Sequence, residues 1–160
     1  MPSPPIRTLG TLLRALLESL DAAVAECYRA ADLDYRPRFT PVVRALLPGP
    51  LSIRGLEQET GVSHSAVSQT VAEMARAGLV LLAPGKDRRA HIVRLSPKAE
   101  AILPRLERQW QATEIAARSL DADLGQSLPQ ILERALAALD ERDFAQRIAA
   151  AMPAIPTKER

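Results

Sequence analysis

Residues 61–79, "GVSHSAVSQTVAEMARAGL", decide how this chain is read. Val67, Val71, Met74 and Ala75 recur at helical spacing and make one face apolar. The other face carries Ser65, Ser68, Gln69 and Ala72, which are small or uncharged and let a helix approach another surface closely. Ser63 stands where a helix cap is wanted, with Val62 and Val67 placed as a hydrophobic staple. Gly61 sits where a left-handed turn residue is needed, and Gly78 closes the helix.

Just upstream, Ser52 can cap a shorter helix, with Leu51 and Leu56 in the staple relation. A helix, a tight turn and a longer second helix make a helix-turn-helix. "PGP" at 48–50 ends a preceding short helix expected from about Pro37 to Leu47, because proline cannot extend the hydrogen-bond ladder. Downstream, "LVLLA" (79–83) and "AHIVRL" (90–95) are strand-like runs joined by "PGKDRR". They predict a β-hairpin with a cationic tip, Ile92 and Leu95 lying on its far side.

The flanks are helical. Leu12, Leu13, Leu16, Leu17, Leu20, Ala23, Val24 and Cys27 trace one face of a helix from Leu9 to about Ala31, ended by "DLDYRP". Ser96 and Pro97 start another, expected to run to about Leu120 with a bend at Pro104. A last helix is expected over roughly 125–151, striped by Leu128, Ile131, Leu132, Ala135, Leu139 and Ile148. "MPSPPIRTLG" reads as a loose lead-in, "PAIPTKER" as a frayed tail, and no internal repeat appears. The fold class is therefore mainly α: a winged helix-turn-helix with a small hairpin wing and long terminal helices. The expected divisions are an N-terminal dimerisation helix (1–35), a DNA-binding domain (36–96), C-terminal dimerisation helices (97–151) and a tail (152–160).

Composition narrows the class. The 160 residues are 47% apolar, enough for a core, but only 3% aromatic, which predicts a core mainly of Leu, Ala, Val and Ile. No apolar run approaches the roughly 18 residues of a membrane span, and the N-terminus lacks a signal-peptide layout. With Cys27 as the sole cysteine, a soluble cytoplasmic protein in a reducing compartment is expected. Net charge is only +2, yet residues 36–98 hold ten Lys and Arg against four Asp and Glu. A basic middle between acidic arms is the asymmetry of a nucleic-acid binding module. The wide leucine face of the first helix exceeds what so small a central module can cover, so a homodimer is expected.

A helix-turn-helix followed by a hairpin has assignable roles on double-stranded DNA. A single helix fits the major groove, about 12 Å wide, with its N-terminal residues at the base edges. Ser65 and Ser68 permit close approach, and the Gln69 amide can bond bidentately to adenine. His64 can meet a phosphate or a base, the Ser63 end offers backbone N–H groups to a phosphate, and Arg76 suits the backbone. At the hairpin tip, Lys86, Arg88 and Arg89 can cross a phosphate ridge into the minor groove. Asp87 among them is a support that orients an arginine.

"GVSHSAVSQTVAEMARAGLV" followed by "PGKDRRAHIVRLSPKAE" resembles the MarR family of winged-helix transcriptional regulators. The likeness is best over residues 37–100, and its more specific part is "DRR" followed by a strand and "LSPK". It implies a homodimer built from the terminal helices on a pseudo-palindromic operator, repression as the sign of regulation, and no cofactor. It also implies that Ser63, His64, Ser65, Ser68 and Gln69 face the operator, and that Arg88 or Arg89 reaches the minor groove. Two residues depart from the pattern: Glu57 where a small alanine is common, and Gly55, which weakens its helix by about 1 kcal/mol.

The same resemblance suggests a small phenolic or anionic effector walled by Tyr28, Tyr35, Arg38 and Trp110, and an oxidant-sensing role for Cys27. For each of these residues ordinary packing or surface is the competing reading. Catalysis finds no support. There are two histidines, His64 and His91, no zinc-ligand spacing, no glycine-rich phosphate loop and no nucleophile elbow. The rival reading from another class is a winged-helix adaptor or antirepressor that binds protein, for which a triply cationic wing tip has no use.

Overall fold

A computed structural model of the chain describes residues 7–84 and 91–154. The lead-in, the hairpin tip with Lys86, Asp87, Arg88 and Arg89, and most of the tail lie outside the described residues. The elements run α1 (Leu9–Ala30), a 3-10 turn (Pro37–Phe39), α2 (Thr40–Leu46), β1 (Leu51–Ser52), α3 (Ile53–Thr60) and α4 (His64–Arg76). Then follow β2 (Val80–Pro84), β3 (His91–Leu95), α5 (Pro97–Leu124), α6 (Leu128–Glu141), α7 (Phe144–Ala151) and a 3-10 turn (Met152–Ala154). The chain divides into two compact units, Met1–Gln111 and Ala112–Arg160.

In the first unit, local chemistry sets each boundary. Thr8 caps α1 by accepting from Thr11 N–H. The helix ends with Asp32 in the left-handed region (φ 50°), while Leu33 N–H donates back to Tyr28 C=O at 2.9 Å. Aspartate is among the few non-glycine residues that visit this conformation readily. The short helix expected from Pro37 opens as the 3-10 turn and becomes α-helical only at Thr40.

The sheet has three strands, not the two of a simple hairpin, in the order β1-β3-β2. β2 and β3 pair antiparallel, with Val80 opposite Leu95 and Pro84 opposite His91. β1 is not legible in the sequence: Leu51 and Ser52 pair with Val93 and Ile92 just before α3 begins. Two residues are too few to show a strand period.

Valine and leucine dominate the core of this unit, as composition predicts, through Val43, Leu56, Val67, Leu79, Val93 and Leu106. Alanine and isoleucine do not play the part expected of them. Among the described residues, Ala99 is the one buried alanine and no isoleucine is buried. Instead Tyr28, Tyr35, Phe39 and Trp110, four of the five aromatics, are buried together. Tyr35 stands edge-on to both Tyr28 and Phe39, with centroids 5.0 and 5.7 Å away. Few large rings close the space that many small side chains would leave open.

Within the second unit, the helix expected over 125–151 is two helices. Arg142 is extended (φ −148°), and Asp143 caps α7 by accepting from Gln146 N–H at 2.8 Å. Asp-x-x-Gln is a capping-box pattern that periodicity alone passes over. α5 continues past Leu120 to Leu124 and contains Pro104 within its helical span. No helix among the described residues is long and apolar enough to cross a membrane.

Candidate nucleic-acid interface

α4 is held from three sides, and the residues that hold it explain its exposed face. Underneath, Val67, Val71 and Met74 are buried in the core, as their spacing predicts. At its start, Gly61 adopts φ 66°, and its N–H closes α3 on the Glu57 carbonyl at 3.0 Å. A side chain at this φ would be strained, so the turn selects glycine. Ser52 caps α3 as expected, its Oγ accepting from Gly55 N–H at 3.0 Å. Ser63 occupies the cap position of α4 but makes no capping bond; its Oγ lies 3.4 Å from Ser65 Oγ instead.

The far end of α4 is tied to α5. Gly78 is left-handed (φ 72°), its N–H donates to Ala75 C=O, and Leu79 N–H donates to Met74 C=O at 2.8 Å. This pair of bonds satisfies carbonyls that the helix end leaves open. Ser96 does more than cap α5. Its Oγ accepts from Ala99 N–H at 3.1 Å and donates to Gly78 C=O at 2.6 Å, while Lys98 Nζ donates to Ala77 C=O at 2.8 Å. The "SPK" run therefore clamps the end of α4 onto the start of α5, a role that sequence reasoning assigned only in part.

On the outer side, His64, Ser65, Gln69, Ala72 and Arg76 are exposed and Ser68 is half-buried. These positions form one continuous strip along α4. Glu73, next to that strip, binds both Arg36, at 3.4 Å, and Arg38. A cleft of about 370 Å³ beside them is lined by Asp34, Arg36, Phe39, Glu73, Arg76 and Ala77. This joint between α4 and the segment after α1 spans 35 and 37 residues of sequence, so no local pattern could reveal it. His64 Nδ1 lies 3.2 Å from Glu57 Oε2, which gives the unusual Glu57 a partner.

The residues suggested as effector walls separate into two places. Tyr28, Tyr35 and Trp110 come together: Trp110 Nε1–H donates to Tyr28 Oη at 3.2 Å, and both tyrosine hydroxyls lie 3.4 Å from Thr40 Oγ1. Burial pushes the Tyr35 hydroxyl above its ordinary value, so it stays protonated. Arg44 stacks its guanidinium 4.8 Å from the Trp110 ring centre. Arg38 is not among them; it pairs with Glu73. Cys27 is exposed on α1. Among the described residues, no group of His, Cys, Asp or Glu is placed to hold a metal ion.

Comparison with known proteins falls on this same segment. Residues 40–90 match the model of the MarR family. The likeness to the MarR family thus lies on the winged-helix segment. Solved structures extend the likeness to most of the chain. A MarR variant from E. coli complexed with operator DNA is 20% identical with a TM-score of 0.64, covering 80% of this chain and 93% of that one. The M. tuberculosis transcriptional regulator MOSR in complex with DNA is 22% identical with a TM-score of 0.65, covering 88% and 99%. Bordetella bronchiseptica BpsR, whose DNA binding is regulated by 6-hydroxynicotinic acid, is 20% identical with a TM-score of 0.53, covering 78% and 98%. At these identities the likeness is one of fold. No curated protein sequence matches the chain significantly.

Proposed function

We propose that the chain is a sequence-specific, DNA-binding transcriptional regulator, a homodimer that represses by occupying a pseudo-palindromic operator. The observation that carries this reading is the exposed strip of short hydrogen-bonding side chains on α4, whose far end is clamped to α5 and whose buried face is fixed in the core. Ser63, His64, Ser65, Ser68 and Gln69 are its base-facing residues, and Arg76 its contact to the phosphate backbone. Lys86, Arg88 and Arg89, with Asp87 as their support, supply the minor-groove contact. Support also comes from the MarR-family match and from fold relatives described with DNA bound. The homodimer rests on apolar side chains that a single chain leaves in water. Leu12, Leu13, Leu17 and Leu20 of α1 are exposed, as are Leu136 and Ile148 in the second unit.

A small phenolic or anionic effector belongs to the proposal by similarity to BpsR. Trp110 bonds Tyr28, and both tyrosine hydroxyls lie against Thr40, so an effector touching them must open that cluster. Cys27, exposed and unpaired in a disulfide, is a candidate redox sensor. Cys27→Ser is expected to keep the operator under peroxide that releases the wild type. Release of both proteins alike removes the thiol from the scheme.

Two substitutions test the DNA reading with different signatures. Gln69→Ala relaxes preference at one operator position by about 1–3 kcal/mol. Arg89→Ala weakens binding to all duplexes and reduces the salt slope by about one unit. Mobility-shift titrations over a salt series measure both. Unchanged binding to every duplex in both variants hands the protein to the adaptor reading.

A further inference from the structure

We propose that Glu57 sets which kind of base His64 reads, by fixing the tautomer of its ring. This rests on the DNA-binding reading of α4 and deepens it. Glu57 lies in the last turn of α3 and His64 opens α4, and the left-handed Gly61 between them folds one residue back over the other. Glu57 engages this turn twice. Its backbone carbonyl accepts from Gly61 N–H, and its carboxylate lies 3.2 Å from His64 Nδ1.

An ionised carboxylate can only accept a hydrogen bond. The Nδ1 atom facing it must therefore carry the proton. In a neutral imidazole with Nδ1–H, the Nε2 atom is a bare acceptor. His64 is exposed at the first turn of α4, where a helix in the major groove meets the bases. An acceptor there pairs with an amino group, and in the major groove only adenine N6 and cytosine N4 offer one. With alanine in place of Glu57 the ring is free to take the other tautomer. It would then donate to guanine N7 or O6, or to a phosphate. Glu57 acts here through His64, as a positioning residue.

The test selects bound sequences from a pool of randomised duplexes, using the full-length protein in mildly alkaline buffer. His64→Ala identifies the operator position that His64 reads. At that position the wild type is expected to prefer adenine or cytosine roughly tenfold. Glu57→Ala and Glu57→Gln are expected to lose that preference or turn it toward guanine, leaving every other position and the melting temperature unchanged. Nitrogen-15 spectra of the ring supply a readout that a merely structural role would not move. His91 is the one other histidine, so the signals are assignable. The wild type should show His64 as the Nδ1–H tautomer and Glu57→Gln a mixture.

A preference that survives both Glu57 variants, no position sensitive to His64→Ala, or an Nε2–H ring in the wild type overturns the inference. Those outcomes leave the DNA reading standing if duplexes are still selected. A protein that selects no duplex at all overturns the DNA reading and the base assignment together.

Discussion

Leu13→Glu combined with Leu17→Glu is expected to run as a single chain and to bind its operator about 10²–10⁴-fold more weakly. The two leucines lie four residues apart on α1, on the apolar stripe with Leu9 and Leu20, and Leu17 is 59% exposed in the isolated chain. In a homodimer that stripe is covered, and two glutamates placed there would be buried without partners. Removing one such ion from water costs several kcal/mol, which exceeds what the lost leucine contacts can offset. The fold of each chain should survive, because neither leucine belongs to the buried core. The affinity falls because one chain then presents a single α4. A dimer reaches two half-sites about 34 Å apart, so its second contact forms at a high effective concentration. Light scattering gives the mass and a mobility shift the affinity. A double variant that stays dimeric and binds unchanged places the interface elsewhere.

Leu56→Ala is expected to lower stability by about 2–5 kcal/mol, the range for emptying a packed leucine site. Leu56 is 0% exposed and sits at the middle of α3, in the same buried cluster as Val43, Val67, Met74 and Val93. The lost side chain leaves a cavity that elements on several sides cannot all close. At about 2–4 °C per kcal/mol for a chain of this size, the melting temperature should drop by roughly 4–20 °C. Leu47→Ala is the matched control: Leu47 is 45% exposed, and its loss should cost about 0.5 kcal/mol or less. Circular-dichroism melts at one fixed protein concentration make the comparison, since dimerisation adds to apparent stability. Equal effects of the two substitutions would mean that α3 does not sit on a common core.

The helix-turn-helix was readable because its signals are local. Ser52 caps α3, Gly61 and Gly78 turn left-handed, and Ser96 with Pro97 starts α5, each within four residues of the group it serves. The periodicity of Val67, Val71 and Met74 likewise marked the buried face of α4. Three features were missed although local signals existed or nearly did. The Asp143-x-x-Gln146 cap divides α6 from α7, Ser63 looks like a cap and is not one, and β1 is too short to show alternation. Glu57 was noticed as unusual without a partner being assigned, because His64 lies seven residues away across the turn.

The sequence by itself determined where α3, α4 and α5 start and where α4 stops, which face of α4 is apolar, and which residues of α4 stay available to a partner. Those properties follow from backbone hydrogen bonds and side-chain periods that span one or two turns. Tertiary structure alone decided that four aromatics are buried alongside the valines and leucines of the core. It also decided that Glu73 binds Arg36 and Arg38, and that Lys98 and Ser96 clamp the end of α4. The Trp110–Tyr28 bond, the Glu73 pairs and the clamp on α4 join groups between 18 and 82 residues apart. Only chain closure chooses among the many cations and carboxylates that could have met, and no periodic pattern records that choice.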